Sequence, residues 1–319
     1  MARLVSGGTV NRKRHPFASR SPAHSTRRHF LTNAAVTLAA VSTAPTLLAL
    51  GSASGGPWTI GCLNRPWVKW SLDEMLAGVK SAGCRTVGLQ TVSKANPFIA
   101  PEATREHLDL LKQKIAAHGL TATMGRLSTK DAQPWAEATA AVRVQIDRAK
   151  ELGLRVLINT GTGKPEHYEA WYRLMAFAAT YGADQGVQIV TKPHGGVVAA
   201  AAELLKCLEK VNHPNFGLWY DPGNLIYYTG KDSLAELEPI VKHVSAFVAK
   251  DCVGRSGENF IQFGTGKVDF TGILRRLKRA DFTGPIWMET CTIAATPADT
   301  ALNAKANREF LERALAAIR

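Results

Sequence analysis

The sequence alternates short apolar, β-branched runs with longer amphipathic runs, and it does so eight times from Trp58 onward. A short apolar run bounded by turn residues predicts a buried strand, whereas apolar residues spaced three and four apart predict a helix. The predicted strands are Trp58–Leu63, Thr86–Gln90, Leu120–Met124, Arg155–Asn159, Val187–Lys192, Phe216–Asp221, Val244–Lys250 and Pro285–Glu289.

Helix start and stop signals lie between these strands. Ser71 and Glu74 have the spacing of a capping box, Pro101 suits the start of the second helix, and Gly119 and Gly153 suit helix ends. The predicted helices run from Ser71 to Ala82, Pro101 to Gly119, Trp135 to Leu152, His167 to Tyr181, Val198 to Val211, Leu234 to Val241, Phe270 to Ala280 and Pro297 to Ile318.

This order of elements determines the expected fold class. Regular strand–helix alternation implies a parallel sheet with right-handed crossovers. Eight units within residues 54–319 favour a single (β/α)8 TIM barrel, whose usual length is about 250 residues. An open doubly wound sheet is the alternative, but no G-x-G-x-x-G motif follows the first strand. We therefore expect residues 54–319 to form one barrel domain.

The first 53 residues have a different composition and predict an export signal. They contain no acidic residue, and Thr26-Arg27-Arg28-His29-Phe30-Leu31 precedes a weakly apolar stretch, Ala34 to Leu50. This is the pattern of a twin-arginine signal peptide, and small residues up to Ala53 suit cleavage. A disordered basic tail and a membrane anchor are the alternatives. We expect a periplasmic or otherwise extracytoplasmic protein with no stable membrane anchor after cleavage.

Net charge gives little support for a nucleic-acid partner. The leader holds seven of the +13 charges, which leaves +6 on residues 54–319, and no basic patch is interleaved with aromatic residues. The five cysteines are scattered without a CxxC motif, so we expect unpaired thiols. An approach of Cys252 to Cys291 at neighbouring strand ends is the alternative.

Ionisable residues stand at the ends of four consecutive predicted strands. In (β/α)8 barrels the chemistry takes place at this face of the sheet. Because unpaired buried charges are costly, these residues predict one paired cluster around a polar pocket, with a salt-bridged rim as the alternative. The loop Thr160-Gly161-Thr162-Gly163-Lys164 suggests a phosphate cradle only weakly, and a plain turn is favoured. The strand-end residues are Lys192, His194, Asp221, Lys250, Asp251 and Glu289.

Several short motifs in this order resemble the sugar phosphate isomerase/epimerase family of xylose-isomerase-like TIM barrels. The resemblance covers most of residues 58–318 and implies a divalent metal ion held by Glu, Asp, His and Glu at the ends of strands five to eight. The motifs are Lys192-Pro193-His194-Gly195-Gly196, Tyr220-Asp221-Pro222-Gly223-Asn224, Ala249-Lys250-Asp251, Gly264-Thr265-Gly266-Lys267-Val268-Asp269-Phe270, Phe282-Thr283-Gly284-Pro285 and Met288-Glu289-Thr290.

Two positions depart from the ligand set that the resemblance implies. Asp221 and Glu289 match it, but Lys192 stands at the strand-five Glu position and Val248 at the strand-seven His position. An ammonium at Lys192 can balance the two carboxylates in place of the ion. We therefore expect no cofactor, or a weakly bound divalent Mn, Mg, Co or Zn ion held by Asp221 and Glu289.

The resemblance implies proton abstraction next to the carbonyl of a small carbohydrate. Together with the export signal and the two departures, it predicts an exported isomerase or epimerase with an atypical, metal-poor site. Glu289 is the expected base, and Lys192 the group that stabilises the oxyanion or returns the proton. The expected substrate-binding residues are His194, Asp221, Asn224, Lys250, Arg255 and Trp67, with Trp219, Tyr227 and Tyr228 as further aromatic candidates.

Two other functions fit the same residues. A lyase or hydratase acting on an oxidised (3-keto) sugar needs the same base together with a general acid. A sugar-binding barrel without catalysis is the third reading. The sequence leaves the sugar and the oligomeric state open.

Overall fold

The computed structural model describes residues 58–318, and these form a closed barrel of eight parallel strands. The strands follow one another around the barrel in chain order, and β1 closes it by pairing with β8. The predicted (β/α)8 TIM barrel is confirmed. The strands are β1 Ile60–Leu63, β2 Thr86–Leu89, β3 Thr121–Arg126, β4 Val156–Asn159, β5 Gln188–Thr191, β6 Phe216–Tyr220, β7 Val244–Ala249 and β8 Ile286–Met288.

Helices connect the strands and surround the barrel. The predicted capping box is present, since Ser71 Oγ accepts a hydrogen bond from the Glu74 amide and Glu74 accepts one from the Ser71 amide. Gly153 and Gly186 end their helices in the left-handed conformation. The helices are α1 Leu72–Ser81, α2 Arg105–Ala117, α3 Trp135–Leu152, α4 Tyr168–Gln185, α5 Ala201–Val211, α6 Pro222–Thr229, α7 Ser233–Leu237, α8 Phe270–Arg279 and α9 Pro297–Ala316.

Some predicted helix bounds are wrong. Helix α2 begins at Arg105 and not at Pro101, because Thr104 Oγ1 accepts the His107 amide and caps the helix there. The segment predicted as one helix from Leu234 to Val241 is α7 followed by a 3-10 turn, Glu238–His243. Helix α6, Pro222–Thr229, is an additional helix between β6 and α7 that is not among the predicted ones.

The barrel interior is apolar below its upper rim. Trp219 and Trp287 stack there with ring centroids 6.1 Å apart. A Cβ on Gly61 would lie 2.6 Å from the Trp287 ring, so glycine makes room for the indole. Because side chains alternate along a strand, the next inward positions lie at the rim. The inward apolar residues are Leu63, Met124, Val156, Ile158, Val190, Trp219, Ala246, Val248 and Trp287.

All five cysteines are buried and free, which confirms the expected unpaired thiols and excludes a Cys252–Cys291 bond. Within residues 58–318 the helices are too short or too polar to cross a membrane. The predicted export signal, residues 1–53, lies outside the described residues.

Candidate active site

Alternation along the strands places three predicted site residues together at the centre of the upper rim. Lys192 follows the inward residue Val190 on β5, and Glu289 follows Trp287 on β8. The Lys192 ammonium donates to Asp221 Oδ2 at 2.5 Å and also to Glu289 Oε2. The three side chains are at most 2 % exposed, so the ammonium is buried between two carboxylates.

Asp221 has a second role as the N-terminal cap of α6. Its Oδ1 accepts the Asn224 amide at 2.8 Å, while Oδ2 faces Lys192. Pro222 takes the first helical position, which needs no amide donor. A Cβ on Gly223 would lie 2.5 Å from the Lys250 carbonyl oxygen, so only glycine allows this close approach. The Asp-Pro-Gly-Asn motif therefore lets one carboxylate cap α6 with Oδ1 and contact Lys192 with Oδ2.

Lys250 and Asn224, two of the predicted substrate-binding residues, lie beside these three side chains and extend the cluster across β7. Lys250 shares the inward face of β7 with Val248, and its ammonium lies 3.5 Å from Glu289 Oε1. Lys250 also donates to Asn224 Oδ1 at 2.8 Å, and Asn224 Nδ2 donates to the Pro193 carbonyl at 2.9 Å. These bonds connect the ends of β5, β6, β7 and β8.

Two arginines complete the rim, and sequence reasoning missed both. Arg65, in the turn after β1, places Nε 3.8 Å from Glu289 Oε1, and its guanidinium lies 5.2 Å from the Phe260 ring centroid. Arg126 ends β3 on the same face as Met124 and donates to Thr160 Oγ1 at 3.2 Å. The available signal was strand alternation on β3, which puts Arg126 two residues beyond an inward methionine.

Burial and the neighbouring charges move the protonation equilibria in different directions. Burial opposes ionisation of Glu289, but Lys192, Lys250 and Arg65 outweigh it and hold its pKa well below the usual range. Burial raises the pKa of Asp221, which has fewer cations around it than Glu289. Burial also disfavours the Lys192 ammonium, but the two carboxylates outweigh this and raise its pKa. The resting site therefore holds an ionised Glu289 against a charged Lys192.

Lys250 differs from Lys192 because it has no close carboxylate pair around it. Burial lowers the pKa of Lys250, and Glu289 and Asp221 offset this effect only in part. Of the two buried lysines, Lys250 is thus the one that gives up a proton more readily.

His194 lies at the partly exposed edge of the cluster. Its Nε2 is 3.2 Å from the Tyr228 hydroxyl, and the two rings are 4.8 Å apart. Burial, together with the nearby Lys192 ammonium, lowers the pKa of His194 to about 3. The imidazole is therefore neutral at physiological pH and can exchange hydrogen bonds with a ligand hydroxyl.

Two predicted substrate contacts are not part of this cluster. Trp67 is fully buried, and its indole nitrogen donates to the Pro297 carbonyl at 3.1 Å, so it belongs to the core beneath α1. Arg255 is exposed beside Gly230, and its predicted place at the site is taken by Arg65 and Arg126. For Arg255 the reason is that a loop position in the sequence does not determine which way a long side chain reaches.

Two further sequence features serve the fold. Both carboxylate oxygens of Asp251 accept backbone amides, from Cys252 and Val268 on Oδ1 and from Gly264 and Gly266 on Oδ2. The Thr160–Lys164 loop packs against the turn after Lys192: the Val197 amide donates to the Thr162 carbonyl at 3.0 Å. The favoured reading of that loop as a plain turn agrees with this contact.

The donor set does not fit the metal ion that the resemblance implies. The Lys192 ammonium stands between the two carboxylates, where a divalent ion would have to bind. Val248 is buried in the apolar interior and supplies no ligand atom. Among residues 58–318, no three His, Cys, Asp or Glu side chains are arranged to hold a metal ion.

Comparison with known proteins places the chain in a family. Residues 76–314 match the family described as xylose isomerase-like TIM barrel. The chain belongs to this family. None of the curated proteins compared with it matches its sequence significantly.

Solved structures share the family fold at low sequence identity. A xylose isomerase-like TIM barrel protein from Mycobacterium smegmatis, in complex with magnesium, has a TM-score of 0.67 at 14% identity and covers 82% of this chain and 98% of its own. An L-ribulose 3-epimerase has a TM-score of 0.64 at 17% identity, covering 82% and 96%. A D-allulose 3-epimerase from Methylomonas sp., in complex with D-allulose, has a TM-score of 0.61 at 19% identity, covering 81% and 98%.

Proposed function

We propose that this xylose isomerase-like barrel is a sugar isomerase or epimerase that moves a proton next to a carbonyl group. The observation that carries the proposal is the buried Lys192 ammonium, which lies between Asp221 and Glu289 at the chemical face of the barrel. Structural relatives that are named as sugar epimerases support a small carbohydrate as the substrate.

Glu289 is the base in the proposed reaction. A substrate carbonyl oxygen that accepts a hydrogen bond from Lys192 weakens the Lys192–Glu289 pair, and this raises the basicity of Glu289. The carboxylate then takes the proton from the neighbouring carbon. The electrons of that C–H bond form the carbon–carbon double bond, and the negative charge develops on the carbonyl oxygen beside the ammonium.

Return of the proton decides the product. Delivery to the former carbonyl carbon completes an isomerisation when the hydroxyl of the neighbouring carbon also gives its proton to the former carbonyl oxygen and becomes the new carbonyl. Delivery to the opposite face of the original carbon completes an epimerisation. Lys250 is the proposed proton donor, since its ammonium lies 3.5 Å from Glu289 and burial lowers its pKa. Neutral His194 and Asn224 orient substrate hydroxyl groups from the rim.

A carbon–oxygen lyase acting on a 3-keto sugar is the second candidate. The closeness of Lys250 to Glu289 favours it, because elimination requires an acid at the leaving oxygen beside the base that removes the proton. After proton removal, the electron pair expels the neighbouring oxygen, which takes its proton from the Lys250 ammonium.

Deuterium exchange from solvent tests the proposal. Ketoses and 3-keto sugars are incubated with the protein in D2O, and exchange next to the carbonyl is followed by NMR. We expect exchange that falls about 100-fold to 10,000-fold in Glu289→Gln and stays unchanged in Glu209→Gln, an exposed control. Exchange with loss of the leaving group identifies the lyase. Binding without exchange contradicts catalysis and supports the third reading, a sugar-binding barrel.

We also propose that Lys192 replaces the family's metal ion. Metal content is measured on the purified protein and on Lys192→Glu, which restores the implied strand-five ligand. We expect substoichiometric Mn, Co, Zn and Mg in the parent protein and a gain of metal in the variant. Stoichiometric metal in the parent protein contradicts this proposal.

Export by the twin-arginine route remains a proposal that rests on Arg27, Arg28 and the apolar stretch after them. Fractionation of cells that produce the full chain tests it. We expect the shortened protein in the periplasm, and retention in the cytoplasm when both arginines are changed to lysine. Equal distribution of both forms contradicts export by this route.

A further inference from the structure

The site contains more positive than negative side chains. Four cationic side chains, Arg65, Arg126, Lys192 and Lys250, meet only two carboxylates, Asp221 and Glu289. Within residues 58–318 the ion pairs of these cations all go to those two carboxylates. His194 adds no negative charge. Lys192 and Lys250 are buried, whereas Arg65 and Arg126 are only partly buried and open toward the rim. A bound anion that reaches the two arginines would offset the surplus of positive charge.

The surplus is concentrated on the side of β1 to β3. Arg126 donates to a neutral hydroxyl, Thr160 Oγ1, and within residues 58–318 no carboxylate forms an ion pair with it. Arg65 approaches Glu289 only at 3.8 Å, and its Nε is buried without a hydrogen-bond partner. Burial and the nearby Arg65 lower the pKa of Arg126, so the site holds two cations that repel each other.

A buried amide oxygen without a partner lies just after β2, the strand between the two arginines. Gln90 is 3% exposed, and its Oε1 has no hydrogen-bond partner. A Cβ on Gly88 would touch the inward residues Leu63 and Met124, so Gly88 points inward and Gln90, two residues on, points to the same side. An acceptor left unpaired in this position suits a ligand hydroxyl.

We propose that the ligand of this site is a carbohydrate with an anionic group, a carboxylate or a phosphate. Arg65 and Arg126 bind the oxyanion on the β1–β3 side, and Gln90 accepts a hydroxyl of the same molecule. Guanidinium groups present donors in a planar fork that matches such oxyanions. The carbonyl end of the ligand then lies toward Lys192 and Glu289. This last step rests on the proposed function, whereas the anion site does not.

Binding to matched sugars tests this inference. The full chain is titrated by calorimetry with three hexoses, the corresponding hexuronates and the corresponding hexose 6-phosphates. We expect at least one anionic sugar to bind about tenfold or more tightly than its neutral parent. A preference for the hexuronate identifies a carboxylate as the natural group, and a preference for the hexose phosphate identifies a phosphate. Equal or tighter binding of the neutral sugars overturns the inference, as does the absence of binding by every anionic sugar.

Variants of Arg65 and Arg126 test whether these two arginines cause the preference for anionic sugars. We expect Arg126→Gln and Arg65→Gln each to remove most of the preference for the anion, Arg126→Lys to keep part of it, and the exposed control Arg279→Gln to keep all of it. Circular dichroism and thermal unfolding establish that each variant is folded. A preference that survives in both glutamine variants overturns the assignment.

The outcomes separate this inference from the proposed function. Anion-selective binding without deuterium exchange supports the ligand class and contradicts the proposed chemistry. Exchange into neutral sugars alone supports the chemistry and contradicts the ligand class.

Discussion

Asp251 and Glu289 are two buried carboxylates at neighbouring strand ends, and their surroundings differ completely. Asp251 accepts four backbone amides that hold the loop after β7 in place. The carboxylate of Glu289 faces three cationic side chains, on Lys192, Lys250 and Arg65. The backbone amides around Asp251 are fixed by the fold and cannot move away when a ligand binds. The side-chain cations around Glu289 can turn from the carboxylate to a ligand. The difference separates a carboxylate whose hydrogen bonds build the fold from the one that we propose as the base.

The largest effect is expected from Lys192→Met, which removes the cation between the two carboxylates. Asp221 and Glu289 would then face each other in a buried site, and we expect the free energy of unfolding to fall by about 3–5 kcal/mol. Urea unfolding at pH 8, where both carboxylates are ionised in the unfolded chain, measures this. Lys206→Met, at a lysine of α5 outside the site, is the control. A change in the free energy of unfolding below about 1 kcal/mol would show that the contacts of Lys192 with the two carboxylates contribute little to stability.

Asp251→Asn tests the other side of the comparison. Asparagine keeps one acceptor oxygen but places an amide donor against two of the four backbone amides, so we expect a loss of about 2–4 kcal/mol of stability. The rate of deuterium exchange per folded molecule should stay near that of the parent protein. A strong fall in that rate without loss of stability would place Asp251 in the chemistry and remove the distinction.

A smaller effect is expected from acid titration of His194. Its folded-state pKa of about 3 lies below the unfolded value of about 6.5, so the unfolded chain binds the extra proton first. Stability from this group is therefore complete above about pH 6.5 and is lost as the pH falls toward the folded pKa. The parent protein should therefore lose stability between pH 7 and pH 4.5. We expect this loss to be about 2 kcal/mol smaller in His194→Gln, which has no imidazole to protonate. Identical pH profiles for the two proteins would contradict a neutral, buried imidazole.

The smallest effect is expected from Tyr228→Phe. This change deletes the hydroxyl that lies 3.2 Å from His194 Nε2 and leaves the ring contact in place. We expect about 0.5–1.5 kcal/mol of lost stability, with the KM of the proposed reaction changing more than its kcat. Tyr168→Phe on α4 is a matched control away from the site. An unchanged KM would place Tyr228 outside the ligand site.

Much of the site was readable from strand periodicity. The two-residue repeat places Val248 and Lys250 on one face of β7, and it aligns Lys192 and Glu289 with inward residues of β5 and β8. The same repeat on β3 predicts that Arg126 points inward, because it lies two residues after the inward Met124.

The position of Trp67 could not be predicted in this way, since an aromatic residue near a strand end suits both a core and a sugar site.

Local chemistry in the sequence by itself determined the eight strand–helix units, the capping box of α1, and the set of charged strand ends. These depend on neighbours a few residues apart, which the sequence displays directly. Only the tertiary structure decided that the Lys192 ammonium contacts both carboxylates and that the Asp251 carboxylate binds four backbone amides of a loop. It also decided that Arg65 reaches Glu289 only at 3.8 Å and that Arg126 forms no ion pair within residues 58–318. Those facts depend on how the closed sheet brings distant strands together and on how far long side chains reach across it.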